Sequence, residues 1–263
     1  MVRVNYLNNR DLLREIHKSK NTYCSYLAPE DSQYDIILPS LSKVNRNTIA
    51  QAKKNRADRL TREAWEKGLQ SDPKCKQEQF RVDYKKILKT ELVFRIMTFD
   101  HVPLAPGRKK TPKIKSDHHM RVNFPPFQHY RMDEADQLHC VGKSHWQGGM
   151  QNGYFSKEQG KITNELAKMF IKLCERYGTR GNWRGYTYND EMRSQALLQL
   201  SQVGLQFDES KSSNPFAYYT ATITNSFTRI LNIEKKNQNI RDDILEMNNM
   251  NPSYSRQNDW HQD

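Results

Sequence analysis

The sequence is poor in hydrophobic residues, in cysteine and in long apolar runs. Hydrophobic residues make up 36% of the 263 residues, and the mean hydropathy is −0.95. No apolar run approaches the roughly 20 residues that span a bilayer, which excludes a membrane protein at this stage. The N-terminus lacks the layout of a secretory signal, so we expect a reducing cytoplasm. The cysteines are scattered and do not indicate a disulfide framework: Cys24, Cys75, Cys140 and Cys174.

Positive charge is plentiful and unevenly distributed. The chain carries 42 Lys and Arg against 30 Asp and Glu, a net charge of +12. Residues 1–160 hold 29 of the basic and 18 of the acidic residues, so almost all of the surplus lies there. Residues 105–131 carry seven basic residues against Asp117 alone. Such clustering favours a polyanionic partner such as nucleic acid, and a solvated basic surface is the alternative.

Helical spacing of apolar residues predicts several helices. A short helix is expected over 6–16 with Asn9 as its cap, and a charged helix over 46–69. The C-terminal part predicts three more, over 162–178, from Asn189 or Asp190 to about Phe207, and from Asn214 to about Lys236. Asn214 followed by Pro215 is a strong helix start, because proline's missing N–H costs nothing at the first helical position.

The basic N-terminal part also contains strand patterns. Residues 92–99 are rich in β-branched and aromatic side chains, and 127–146 predict a hairpin around the turn 133–136. Prolines between 103 and 126 should interrupt regular structure there.

The last predicted helix has two faces. The spacing predicts that Phe216, Tyr219 and Ile223 pack inward with Phe227, Ile230 and Leu231. The opposite face suits nucleic acid, because rings stack on bases, amides and hydroxyls reach base edges and basic groups contact phosphates. An ordinary solvated helix face is the alternative. This face consists of Tyr218, Thr222, Asn225, Arg229, Asn232 and Lys236.

The order of these features resembles region 2 of bacterial sigma factors. Gly185-Tyr186-Thr187 precedes the second helix, Phe207-Asp208-Glu209 closes it, and Asn214-Pro215-Phe216-Ala217-Tyr218 opens the third. With the opening segment 6–13, these motifs are most similar to the late-promoter sigma factors of T-even-type myoviruses, in particular the longer versions from viruses of cyanobacteria. The resemblance covers the first twenty or so residues and the last hundred.

The resemblance implies a mainly α fold with no catalytic role, metal or cofactor. Residues 161–240 would form a sigma region 2-like domain, the N-terminal helix 1–20 would pack on it, residues 21–160 would be a basic α+β insertion, and 241–263 a tail. The protein would act in the host cytoplasm, directing host core RNA polymerase to late promoters by opening a TATA-like −10 element. The largest-subunit clamp helices would meet Glu191, Met192, Gln195, Gln199 and Gln202.

The same resemblance implies the DNA contacts. Family aromatics that surround a flipped base match Phe216 and Tyr219, and the DNA-binding set also includes Tyr218, Thr222, Asn225, Arg229, Lys235 and Lys236. Where other sigma factors have paired tryptophans, this chain has Thr222 and Ile223, so it should melt DNA with less aromatic help.

Two further interactions follow as hypotheses. Family members are tethered to a phage sliding clamp by a hydrophobic and acidic tail, and they work with a co-activator. In this chain Trp260 is the candidate clamp contact. A frayed terminus is the alternative. The insertion should grip duplex DNA by its phosphates through Lys109, Lys110, Lys113 and Lys115.

Other functions remain as alternatives. Asp117-His118-His119, with Asn123 and His145 as further candidates, suggests a metal-dependent DNA nuclease, although close ligand pairs typical of zinc sites are lacking. A nonspecific nucleic-acid-binding protein is the other alternative.

Overall fold

The computed structural model describes residues 7–73, 75–104 and 122–259. The chain divides into two units. A helical unit comprises Met1–Leu13, Asn164–Gly204 and Asn214–Asp263, and a sheet unit comprises Arg14–Thr163 and Leu205–Ser213.

The helices are α1 (Asn9–Asn21), α2 (Arg46–Ser71), α3 (Asn164–Gly178), α4 (Asn189–Val203), α5 (Pro215–Met247) and α6 (Tyr254–Asp259). The strands are β1 (Cys24–Tyr26), β2 (Ile36–Leu38), β3 (Val93–Met97), β4 (Phe127–Met132), β5 (Leu138–Ser144), β6 (Trp146–Gln147) and β7 (Tyr154–Phe155). The fold is therefore mainly helical with a small mixed sheet.

The sheet unit is built on a five-stranded sheet of order β1-β5-β4-β3-β2. The β2–β3 pair is parallel and the others are antiparallel, with a bulge between His129 and Tyr130. The strand predicted over 92–99 and the predicted hairpin are confirmed as β3 and β4–β5. Strands β6 and β7 form a separate two-stranded ribbon.

Helix α2 covers one face of this sheet. Its side chains Ala52 and Ala57 pack with Phe94 and Ile96 of β3 in one apolar cluster. Asn45 caps the helix by accepting N–H bonds from residues 47 and 48. At the β2 edge of the sheet, the buried Asp35 carboxylate accepts the Val93 N–H at 2.9 Å. The same carboxylate forms an ion pair with Arg59. Together these contacts join β2, β3 and α2.

The helical unit packs α3, α4 and α5 around one core. The Tyr219 ring of α5 meets Phe170 of α3 edge to face at 5.0 Å, and Phe227 lies 5.2 Å from Tyr177. A Cβ at Gly204 would lie 2.6 Å from the Phe170 ring, so only glycine lets the end of α4 approach α3 this closely. The other core residues are Leu166, Leu173, Met192, Ala196, Leu200 and Ile223.

Several predicted boundaries differ from the structure. Asn8, not Asn9, caps α1 by accepting the Asp11 N–H at 2.7 Å, while the Asn9 carboxamide accepts the Phe216 N–H. Helix α5 continues to Met247, beyond the expected end at Lys236 and across the division at residue 240. The contacts also group Leu205–Ser213 with the sheet unit and divide α1 between the two units.

Within the described residues, no helix is both long and apolar enough to cross a membrane.

Candidate nucleic-acid interface

Helix α5 presents most of the predicted DNA-binding side chains to solvent. Asn214 caps its first turn by accepting the Ala217 N–H at 3.0 Å, and Pro215 occupies the first helical position as predicted. Asn225, Arg229, Lys235 and Lys236 are exposed, whereas Tyr218 and Thr222 are half-buried. Asn225, Arg229, Asn232 and Lys236 line one shallow depression with Thr228 and Ile233.

Two aromatic residues at the start of α5, both expected to pack inward and both matched to the family's DNA-contacting aromatics, differ in burial. Phe216 was expected to pack inward, but 37% of it is exposed. Tyr219 is fully buried, and its hydroxyl donates to the Gly204 carbonyl at 3.0 Å. The prediction that Tyr219 contacts DNA is therefore corrected, because its ring is part of the helical core.

Tyr218 is the better placed ring for a base. Its hydroxyl donates to the Val203 carbonyl at 3.1 Å, and its ring meets Tyr219 edge-on at 5.6 Å. These contacts hold the ring while leaving part of it accessible. Burial raises the pKa of the Tyr218 phenol, so the side chain stays neutral near pH 7.

The residues predicted to bind polymerase differ in exposure along α4. Glu191 and Gln202 are exposed, and Gln195 and Gln199 are half-buried. Met192 is fully buried in the core, so its assignment to a docking surface is corrected. Sequence reasoning missed Leu198, which lies on the same side as Gln195 and Gln202 and is 52% exposed.

The connection between α4 and α5 contains a buried ionic cluster that the sequence did not predict. The Glu209 carboxylate accepts from Arg95 Nη1 at 2.7 Å and Lys20 Nζ at 3.3 Å. Tyr34 donates its hydroxyl to the same carboxylate at 3.3 Å. Although burial opposes ionisation, Lys20 and Arg95 lower the pKa of Glu209 to about 2, so it is charged near neutral pH.

Arg95 is the centre of this cluster. Its guanidinium carbon lies 3.8 Å from the ring centroids of both Tyr34 and Phe127. Its Nε–H donates to His129 Nε2 at 2.9 Å, and its Nη2 lies 3.2 Å from His17 Nδ1. Burial, followed by the Arg95 charge, holds the pKa of His129 well below its usual range and that of His17 at about 3. Both imidazoles are therefore neutral near pH 7.

Asp208 stabilises the turn formed by residues 208–212. Its carboxylate accepts the Ser210 N–H at 3.0 Å, and its carbonyl accepts the N–H groups of Lys211 and Ser212. Phe207 is buried, and its carbonyl accepts from Lys20 Nζ at 2.8 Å. The Phe-Asp-Glu motif is thus anchored at each of its three residues.

The histidine-rich segment does not form a metal site in the described part of the chain. No group of three or more His, Cys, Asp or Glu able to hold a metal occurs there. His145 is buried against Phe124 at 4.2 Å between ring centroids, and its Nε2 accepts the Asn123 N–H. The nuclease candidates Asp117, His118 and His119 lie outside the described residues, as do Lys109, Lys110, Lys113, Lys115 and Trp260.

No protein-family model, curated protein or solved structure matches the chain.

Proposed function

We propose that the chain is a sigma-like initiation factor that binds core RNA polymerase through α4 and a separated promoter strand through α5. The observation that carries this proposal is that these consecutive helices expose different chemistries. Helix α4 exposes a carboxylate, a leucine and amides, whereas α5 exposes aromatic, hydroxyl, amide and basic groups. The resemblance of the segments at 185–187, 207–209 and 214–218 to sigma region 2 agrees with this division. The polymerase would be that of the host of a virus using late promoters.

The α4 face fits a protein partner. Leu198 is an exposed apolar side chain among the polar Gln195 and Gln202, and apolar anchors surrounded by a polar rim are typical of interface centres. Glu191 adds a carboxylate at the N-terminal end of the same helix, suited to a basic group on the polymerase. This face is therefore the proposed contact with the largest-subunit clamp helices.

The α5 face fits a single strand with a phosphate backbone. The Tyr218 ring is available for stacking on an unpaired base, and Asn225 carries an amide that can hydrogen-bond to a base edge. Arg229, Lys235 and Lys236 lie further along the same helix and supply cations for phosphates. Phe216 adds an exposed ring at the helix start.

Chemical probing of unpaired thymines in a polymerase–promoter complex tests both faces. The wild-type protein with core polymerase should make thymines of a TATA-like −10 element reactive. Tyr218→Leu keeps apolar bulk but removes the ring, and should lower this reactivity about tenfold while polymerase binding is retained. Leu198→Asp should instead abolish polymerase binding.

Matched variants control for nonspecific effects. Arg229→Ala should weaken promoter binding more than Arg176→Ala, which removes an exposed arginine from α3. Circular dichroism should show wild-type helicity in all four variants. Equal binding of any DNA sequence without polymerase would contradict the proposal and favour a nonspecific nucleic-acid-binding protein.

A further inference from the structure

The second half of α5 carries an apolar seam that no described segment of the chain covers. The seam consists of Ile230, Ile233, Asn237, Ile240, Ile244 and Met247. Ile233, Ile240 and Ile244 are 44%, 47% and 53% exposed, and Met247 is 84% exposed. So many accessible aliphatic side chains in one row of a helix indicate a missing partner.

Helix α6 does not cover this seam. It follows a turn in which Ser253 donates its N–H and hydroxyl to Asp242 at 2.8 and 2.7 Å. Arg256 of α6 then pairs with Asp243 and Glu246. Helical spacing places Asp242 and Glu246 on the side of α5 away from the seam and Asp243 beside it, so these contacts leave the isoleucines accessible.

The seam has the spacing of a two-helix coiled coil. Its six residues alternate steps of three and four, which places them on one stripe of the helix. The stripe is ~26 Å long at 1.5 Å per residue. Asn237 interrupts it at a position where a single polar residue is known to specify pairing.

We propose that this seam pairs in antiparallel orientation with the same seam of a second copy of the chain. In the register that places Ile230 opposite Met247 of the second copy, Ile233 faces Ile244 and Asn237 faces Ile240. Two opposite-charge contacts flank the seam in this register, and symmetry makes each occur twice. They join Glu234 to Arg241 of the second copy, and Lys236 to Asp243 of the second copy, which also pairs with Arg256 of its own chain. Lys236 would then contact either the second copy or a strand phosphate, not both at once.

Charge selects this orientation over the parallel one. A parallel pair would place Lys236 beside Arg241 of the second copy, which is repulsive and offsets its attractive contact between Arg229 and Glu234, whereas both antiparallel contacts are attractive. In the antiparallel register the two Asn237 residues lie within ~4.5 Å of each other along the helix axis, so their amides can hydrogen-bond to each other. A parallel pair would also allow this contact, so charge and not Asn237 selects the orientation. Asn237 already lies in a polar environment, donating to Glu234 at 3.0 Å.

Sedimentation of the full chain over micromolar concentrations tests the pairing. The wild type should show a reversible monomer–dimer equilibrium. Ile240→Glu places two carboxylates in the centre of the seam and should raise the dissociation constant about a hundredfold. Asn239→Glu introduces the same charge at an exposed position outside the seam and should change it less than threefold.

A charge exchange tests the orientation. Glu234→Arg alone and Arg241→Glu alone should each weaken the dimer, because each creates like-charge contacts across the antiparallel pair. A mixture of the two variants should form a heterodimer, in which both contacts are again attractive. In a parallel pair, Arg241→Glu would strengthen association by facing Lys236.

Three results would overturn the proposal. The wild type could sediment as a monomer throughout, Ile240→Glu and Asn239→Glu could behave alike, or the mixed charge variants could fail to associate. A seam used by a helix of another protein would give the first result. Because the measurement needs neither polymerase nor promoter DNA, it is independent of the proposed function.

Discussion

At the scale of single residues, Glu209 is a buried, paired acid of the sheet unit. It is shared by two buried cations, since the side chains of Lys20 and Arg95 are 4% and 1% exposed. Breaking a buried ion pair by removing one partner is costly, because the remaining charge is left without water or a counter-ion. The Phe-Asp-Glu turn therefore depends on this carboxylate for its position.

Glu209→Gln should lower the free energy of unfolding by about 3–5 kcal/mol, because it leaves Lys20 and Arg95 without a buried counter-charge. Denaturant unfolding measures the change. Glu134→Gln, at an exposed position in the hairpin turn, is the matched control and should stay within about 0.5 kcal/mol of wild type. A loss no larger for Glu209→Gln than for this control would contradict the assignment.

The histidines of the cluster make stability fall in acid. His17 binds a proton below about pH 6.5 when unfolded but only near pH 3 when folded, so the unfolded chain takes up more protons between these values. The unfolding free energy should decrease as the pH falls through this window. Glu209, with a pKa lowered from 4.5 to about 2, should extend the loss below pH 4.5.

The midpoint of thermal unfolding, followed from pH 7 to pH 4, measures this dependence. His17→Gln should flatten it, because one neutral buried imidazole is removed. An unchanged slope in His17→Gln would show that another group controls the acid response.

At the scale of elements, α5 shows what periodicity predicts and what it does not. Asn214-Pro215 fixed the helix start because capping is local, and Ile223 and Phe227 are buried as expected. Phe216 lies in the first turn, before the helix is enclosed by α3 and α4, so the same periodicity does not bury it. The predicted end of α5 at Lys236 was wrong. The polar residues after Lys236 interrupt a second apolar stripe, and the helix continues along this stripe to Met247.

The sheet unit shows the same division between local and distant information. The start of α2 at residue 46 and the β4–β5 hairpin could be predicted, because both depend on neighbouring residues. The Arg95–Glu209 pair could not, since its partners are 114 residues apart. The sequence gives one indication of this pair, because Arg95 lies in an otherwise apolar strand. A buried arginine requires a partner, but the sequence does not identify which residue it is.

Tyr219 should respond to substitution as a core residue. Tyr219→Ala should lower the unfolding free energy by about 3–5 kcal/mol, because it removes a buried ring packed on Phe170. Tyr219→Phe should cost only about 1–3 kcal/mol, since it leaves the Gly204 carbonyl without its donor. Loss of promoter opening by Tyr219→Phe at unchanged stability would instead return this residue to the DNA-binding face.

At the scale of the whole molecule, charge and the proposed contacts are separated along the chain. Most of the positive surplus lies before residue 160, while the proposed polymerase and strand contacts lie after residue 190. Such a division suits a protein that holds duplex DNA nonspecifically with one part and engages promoter and polymerase with another.

Charge reversal of Lys109, Lys110, Lys113 and Lys115 tests the proposed duplex contact. Promoter affinity of the polymerase complex should fall, and its dependence on salt should flatten because fewer counterions are released. Binding titrations at several salt concentrations give both quantities. Reversal of Lys53, Lys67, Lys168 and Lys172, which lie on helices α2 and α3, provides a comparison with the same number of charges changed elsewhere. Equal effects of the two sets would contradict a specific role for the 109–115 segment.

Run-off transcription with purified core RNA polymerase tests the central claim most directly. We predict that adding the protein starts transcription at a fixed distance from a TATA-like −10 element, and that mutating this element abolishes the transcript. Failure to associate with core polymerase, or association that leaves the promoter closed and silent, would contradict the account.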